Sequence, residues 1–286
     1  MSDARRAFLE ELIDDAGLFP PASLSMEAAT EQHAASREGR HGFMLGRFLC
    51  PASRLPELAK RLDLLERWRI GAIVDGPEGG EELARWLSAP PDGAPVEAVE
   101  ARSWTDDLQP AAAQIASEGL LRFLEVPPDG DLDPVLDAIA DAGAGAKLRC
   151  GGATADAFPA PPRVAAFIDG CRRRGIRLKA TAGLHHPFRH TDPETGFVRH
   201  GFVNLAGAAV LAMGHDLERE VIEEIVAETD AVAFELTGER FAWRGVTAAA
   251  DAVARARRDL FFAYGSCSFD EPVEDLLELG VLPLEP

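Results

Sequence analysis

The chain has 286 residues, 47% of them hydrophobic, enough to bury a large core, and α/β barrels commonly reach this size as one domain. Its 48 acidic and 29 basic residues give a formal net charge of −19, which argues against nucleic acid and anionic membrane as partners, because neither phosphate surface attracts an acidic protein. No basic segment followed by an apolar one opens the chain, no apolar run is long enough to span a bilayer, and Cys50, Cys150, Cys171 and Cys267 contain no CxxC pair, so a cytoplasmic protein with reduced thiols is expected.

Residues 1–42 are expected to form an N-terminal cap segment: an extra helix over 3–16 and the Gly17-Leu-Phe-Pro-Pro21 turn. Apolar strand-like runs then alternate with amphipathic helices. Strands are expected at 43–49, 70–74, 96–101, 120–126, 146–150, 176–180, 231–236 and 260–264. Helices are expected at 54–68, 81–87, 106–117 with Thr105 as its N-cap, 134–142, 163–174, 205–227, 247–259 and 271–279. Eight β-α units with no segment left for a second core predict the α/β class and a single (β/α)8 TIM-type barrel over 1–286. Residues 184–204, between the sixth expected strand and the next helix, form a long loop that reads as a lid.

Active sites of this fold are built at the C-terminal ends of the strands. Reading those ends gives Arg47, Asp75, Glu97, Arg102, Glu125, Lys147, Arg149, Lys179, Glu235 and the Ser266-Cys267-Ser268 turn. Lys179 lies inside an apolar run, where an ammonium is costly unless it is paired or gives up its charge. Side-chain alternation makes Lys179 and Thr181 share a face of their strand, as Lys147 and Arg149 do of theirs. If Lys147, Lys179, Glu125 and Glu235 share the barrel mouth, one lysine beside another cation becomes a nucleophile suited to imine chemistry. Glu125, Glu235 and His185 are then the candidate proton shuttles. Lys179 is the leading catalytic residue on this reading, and no cofactor is required.

Lys179-Ala-Thr-Ala-Gly183 resembles the Lys-Thr-Ser-Thr-Gly motif of deoxyribose-phosphate aldolases, class I aldolases built on a (β/α)8 barrel. The resemblance implies an imine on a sixth-strand lysine, helped by a second lysine that precedes a Gly-Gly pair on the seventh strand. Counting from the expected strands, Lys179 is on the sixth, whereas Lys147-Leu-Arg-Cys-Gly-Gly152 is on the fifth, with one residue more between lysine and glycines.

The loop carries four of the seven histidines, His185, His186, His190 and His200. With Arg149, Asn204, Ser266 and Ser268 these are candidate contacts to a small anionic substrate, and Arg189 and Arg199 add guanidinium groups suited to carboxylate or phosphate. A different chemistry stays open: His185, His190 and His200 with a carboxylate such as Asp192, Glu194 or Glu235 could hold a divalent metal such as zinc for a hydrolase or lyase. A third reading is a noncatalytic ligand-binding barrel, whose sign would be Lys179 locked in salt bridges with no open cavity at the strand ends. Cys267 has no local triad signature, and the oligomeric state is left open.

Overall fold

The structure, a computed structural model, describes residues 3–101 and 119–282. Seven strands come first, β1 (Ile13–Asp15), β2 (Leu45–Pro51), β3 (Ile70–Ile73), β4 (Val96–Ala101), β5 (Leu121–Glu125), β6 (Gly145–Arg149) and β7 (Leu178–Thr181). A hairpin of β8 (His190–Thr191) and β9 (Val198–Arg199) follows, then a three-stranded antiparallel sheet of β10 (Phe234–Leu236), β11 (Arg240–Trp243) and β12 (Val246–Ala249), and last β13 (Phe261–Ser266). Strands β1 to β7 and β13 close an all-parallel barrel, with β13 between β7 and β1. The expected (β/α)8 barrel is therefore present.

Helices surround it: α1 (Ala4–Leu9), α2 (Met26–Glu38), α3 (Leu55–Leu58), α4 (Pro77–Ser88), α5 (Asp133–Asp141), α6 (Pro161–Arg174), α7 (Phe202–His215), α8 (Arg219–Ala227), α9 (Ala250–Asp259) and α10 (Asp270–Glu278). Apolar residues at helical spacing, such as Leu83, Trp86 and Leu87 on α4 or Val164, Phe167, Ile168 and Cys171 on α6, are buried, which is the stripe a barrel-covering helix needs. No helix among the described residues is long and apolar enough to cross a membrane. The helix expected at 106–117, its cap Thr105 and the strand-end Arg102 lie outside the described residues.

Two elements depart from the sequence reading, and together they shift the strand count. The N-terminal helix stops at Leu9, Glu11 takes a positive φ of 50°, and the chain enters β1, pairing Ile13 with Leu45 and Tyr264. The buried Arg257 fixes this exit by donating to the carbonyls of Phe8 (2.9 Å), Glu10 (3.0 Å) and Phe262 (2.7 Å). The first barrel strand thus lies inside the expected cap segment. Conversely, the run 231–236 is not a barrel strand. Ala231–Ala233 is a 3-10 turn and Phe234–Leu236 pairs with β11 outside the barrel. The Arg244-Gly245 turn, with φ of 44° and 87°, folds β11 onto β12, since two residues of positive φ match the twist of a tight hairpin. Lys147 is therefore on the sixth barrel strand and Lys179 on the seventh.

The helix expected over 205–227 is two helices, α7 and α8, broken at Asp216. Asp216 sits in the left-handed conformation, φ 51°, which an aspartate tolerates better than most side chains.

Candidate active site

A cavity of about 1000 Å³ opens at the C-terminal ends of the barrel strands. Lys147, Glu125, Asp75, Thr181, Gly265 and Cys267 reach it from strands or strand ends, while His185 and Arg199 reach it from the segment after β7. Phe19, Pro20, Pro21, Leu49 and Phe158 supply apolar walls. Where β6 and β7 end, Gly151 and Gly183 pass so closely that a Cβ on Gly151 would stand 2.9 Å from the Gly183 Cα. Ala182, just before, has φ 64°, a conformation costly for a side-chain-bearing residue and typical of functional sites.

The two lysines are side by side, Lys147 in register with Lys179 across β6 and β7, but they face different surroundings. Lys179 is fully buried, is absent from the cavity wall, and donates to both Asp14 and Glu100. Burial pushes its pKa down, and the adjacent Asp14 and Glu100 carboxylates more than offset this, so the net displacement is upward. Lys179 is a fixed ammonium. Lys147 is 3.1 Å from Glu100 and 3.0 Å from Glu125, and it lines the cavity. Glu100 bridges the pair. Burial raises its carboxyl, and the Lys179 and Lys147 charges outweigh that and hold it at about 2.

Asp14 is buried too, and accepts from the Arg47 backbone N–H at 2.7 Å and its guanidinium at 3.3 Å. Arg47 and Glu97, read from sequence as strand-end groups, are not on the cavity wall. With Glu11 and Arg69 they form an ion network near the N-terminal ends of β1 to β4, and the Arg47 guanidinium lies 4.1 Å from the Phe262 ring centre. Asp75 does line the cavity and is held by the Ser53 hydroxyl at 2.6 Å. Arg149 reaches the cavity, half-exposed and 3.4 Å from Glu125.

Several expected contacts are not brought to the cavity. Glu235 is a surface residue paired with Arg240 at 3.0 Å, because its strand belongs to the outer sheet. Ser268 accepts from the Glu271 N–H at the start of α10, and the Ser266 hydroxyl accepts from the Ser268 N–H. Asn204 is buried and ties the loop to α8, accepting from the Arg189 N–H and donating to the Ile225 and Glu228 carbonyls. His200 is buried between the Pro159 carbonyl at 2.6 Å and the Arg189 guanidinium at 3.0 Å. Desolvation first and Arg189 second hold its pKa down at about 4. His190 contacts the Phe188 carbonyl, and His186 pairs with Asp275 at 2.7 Å. The segment 184–204 is thus anchored at several points. Among the described residues no group of three or more His, Cys, Asp or Glu side chains could hold a metal. The set His185, His190, His200 is not assembled: both ring nitrogens of His200 are engaged, by the Pro159 carbonyl and the Arg189 guanidinium.

Of the four loop histidines, His185 is on the cavity wall. Its Nδ1 is 2.6 Å from Glu271 and its Nε2 is 3.6 Å from the Cys267 sulfur. Sequence reading missed Asp14 and Glu100, the partners a buried Lys179 requires, and it missed Glu271. The signal for the first two was physical: a lysine in an apolar strand demands buried acids on neighbouring strands.

No known family model matches the chain, and no curated protein or solved structure matches it.

Proposed function

We propose that the protein is a Schiff-base enzyme of lyase or aldolase type acting on a small anionic carbonyl or sugar-like compound, with Lys147 as the amine that meets it. The observation that carries the reading is Lys147 on the cavity wall, in contact with Glu100 and Glu125 and beside the buried, salt-bridged Lys179. Lys179, buried and held by Asp14 and Glu100, is the positioning cation of the pair.

Glu125 takes the proton that Lys147 must shed, and Lys147 attacks the carbonyl carbon. The carbinolamine then loses water to give the imine, which draws electrons from the neighbouring carbon and so permits C–H or C–C cleavage there. Glu125 and His185, both on the cavity wall, are the groups within the site that can move that proton. Arg149 and Arg199 suit a carboxylate or phosphate on the substrate. The resemblance to deoxyribose-phosphate aldolases does not carry this assignment: its motif points to Lys179 as the imine lysine, and the barrel places that motif on the seventh strand, buried away from the cavity.

The competing reading is a ligand-binding barrel whose ion cluster only buttresses the fold, and full pairing of Lys179 favours it. The open cavity above Lys147 favours chemistry. Exchange of α-protons in D2O separates the two. With pyruvate, acetaldehyde and dihydroxyacetone phosphate as probes, proton NMR is expected to show α-proton loss with at least one, abolished by Lys147→Ala. Exchange that survives Lys147→Ala, or is absent across the panel, contradicts the proposal.

A further inference from the structure

Cys267, His185 and Glu271 form a second constellation on the same cavity, distinct from the lysine pair. Cys267 follows β13 and reaches the cavity wall; His185, on the wall from the segment after β7, sets its Nε2 3.6 Å from that sulfur. Glu271, in the first turn of α10, accepts from His185 Nδ1 at 2.6 Å. A proton fixed on Nδ1 by a carboxylate leaves Nε2 free to take the thiol proton, the arrangement by which an oriented base activates a nucleophile. The His185 pKa is displaced upward, first by Cys267 and, against the effect of burial, also by Glu271. The other three cysteines are buried, and burial pushes Cys50 and Cys150 up to about 12 and Cys171 higher still. They are inert thiols, so reactivity is confined to one position.

We propose that Cys267, activated by His185 and oriented through Glu271, is a nucleophile that reversibly captures a small anionic aldehyde as a hemithioacetal. The thiol proton moves to His185 Nε2 and the sulfur bonds to the aldehyde carbon. The carbonyl π pair moves onto oxygen, which takes the proton back from His185. One S–C bond forms, one C=O π bond is lost, and no oxidant, reductant or leaving group is needed. An aldehyde fits better than a ketone because its carbon is less crowded and more electrophilic, and Arg149 and Arg199 on the same cavity select the anionic substituent. The capture does not use Lys147, so it stands independently of the imine.

The test is iodoacetamide labelling of the full chain followed by peptide mass mapping, over pH 5 to 9. In the wild-type protein, modification at pH 7 is expected at Cys267 alone. His185→Gln removes the base beside the sulfur and is expected to slow labelling at pH 7 by about tenfold. Glu271→Gln, at an exposed helix start, leaves the fold intact and is expected to slow labelling in the same direction. Glyoxylate and glyceraldehyde 3-phosphate are expected to protect Cys267 both in wild type and in Lys147→Ala, whereas dihydroxyacetone phosphate is not. Equal labelling rates in wild type and both variants, or no protection by either aldehyde in Lys147→Ala, overturns the proposal. Protection that vanishes only in Lys147→Ala also overturns it, by assigning the aldehyde to the lysine.

Discussion

Replacing Glu100 by glutamine removes the charge that bridges the two lysines while keeping the side-chain shape. Glu100 is 1% exposed, so solvent screens little of the interaction. A carboxyl taken from 4.5 to about 2 on folding favours its ionised form in the folded state by about 3 kcal/mol. Glu100→Gln is therefore expected to lower stability at pH 7 by about 3 kcal/mol, within the range for breaking a buried ion pair from one side. For a domain of this size that is roughly 5–10 °C in melting temperature. The folded-state pKa lies below the unfolded one, so the stabilisation is complete above pH 4.5 and fades as pH falls toward 2. About 2 of the 3 kcal/mol is gone by pH 3. Thermal melts followed by circular dichroism at pH 7 and pH 3 read both effects. The gap between wild type and variant should be wide at pH 7 and less than half as wide at pH 3. A gap that is absent at pH 7, or unchanged at pH 3, refutes the reasoning.

His200, neutral and buried with its pKa held at about 4, acts in a higher window. The unfolded chain takes the proton first, so about 3 kcal/mol of stability is lost as pH falls from 6.5 to about 4; denaturant melts across that range should show the loss in wild type and not in His200→Gln. Gly201 precedes α7 with no room for a side chain, because a Cβ would stand 2.2 Å from the Pro187 carbonyl oxygen and 2.3 Å from the Phe188 Cα. Gly201→Ala should cost about 2 kcal/mol or more, as backbone must move, and a melting temperature equal to wild type would show that the 184–204 segment does not pack as described. Glu235→Ala, on the outer sheet and half-exposed, should change stability by no more than about 0.5 kcal/mol and leave α-proton exchange unaltered.

The strands that pair as barrel elements were legible because parallel strands covered by helices read as apolar runs, as in Ile70–Ile73. Ile13–Asp15 was hidden because it is three residues long, carries two aspartates, and extends the helix-like spacing of Phe8, Leu9 and Leu12. Ala231–Leu236 misled for the opposite reason: its apolar residues serve a 3-10 turn and an outer strand, and short apolar runs do not say which sheet they join. Those two errors cancelled in the count of eight but displaced both lysines by one strand. The lysine pair with Glu125 was visible from strand ends, whereas Asp14 was masked by the helix assignment. His185 was a candidate proton shuttle from the sequence, but its partners Cys267 and Glu271 were not, because the fold brings them to it from more than 80 positions away. Spacing along the chain carries no trace of such a meeting.

The most direct test of the imine assignment is borohydride reduction of the protein in the presence of small aldehydes, ketones and sugar phosphates, with the modified peptide identified by mass. A stable adduct on the 145–149 peptide at Lys147, absent in Lys147→Ala and retained in Cys267→Ser, is the expected result. An adduct on Lys179 would contradict the division of roles between the two lysines, and no adduct on either lysine across the panel would contradict Schiff-base chemistry in this barrel.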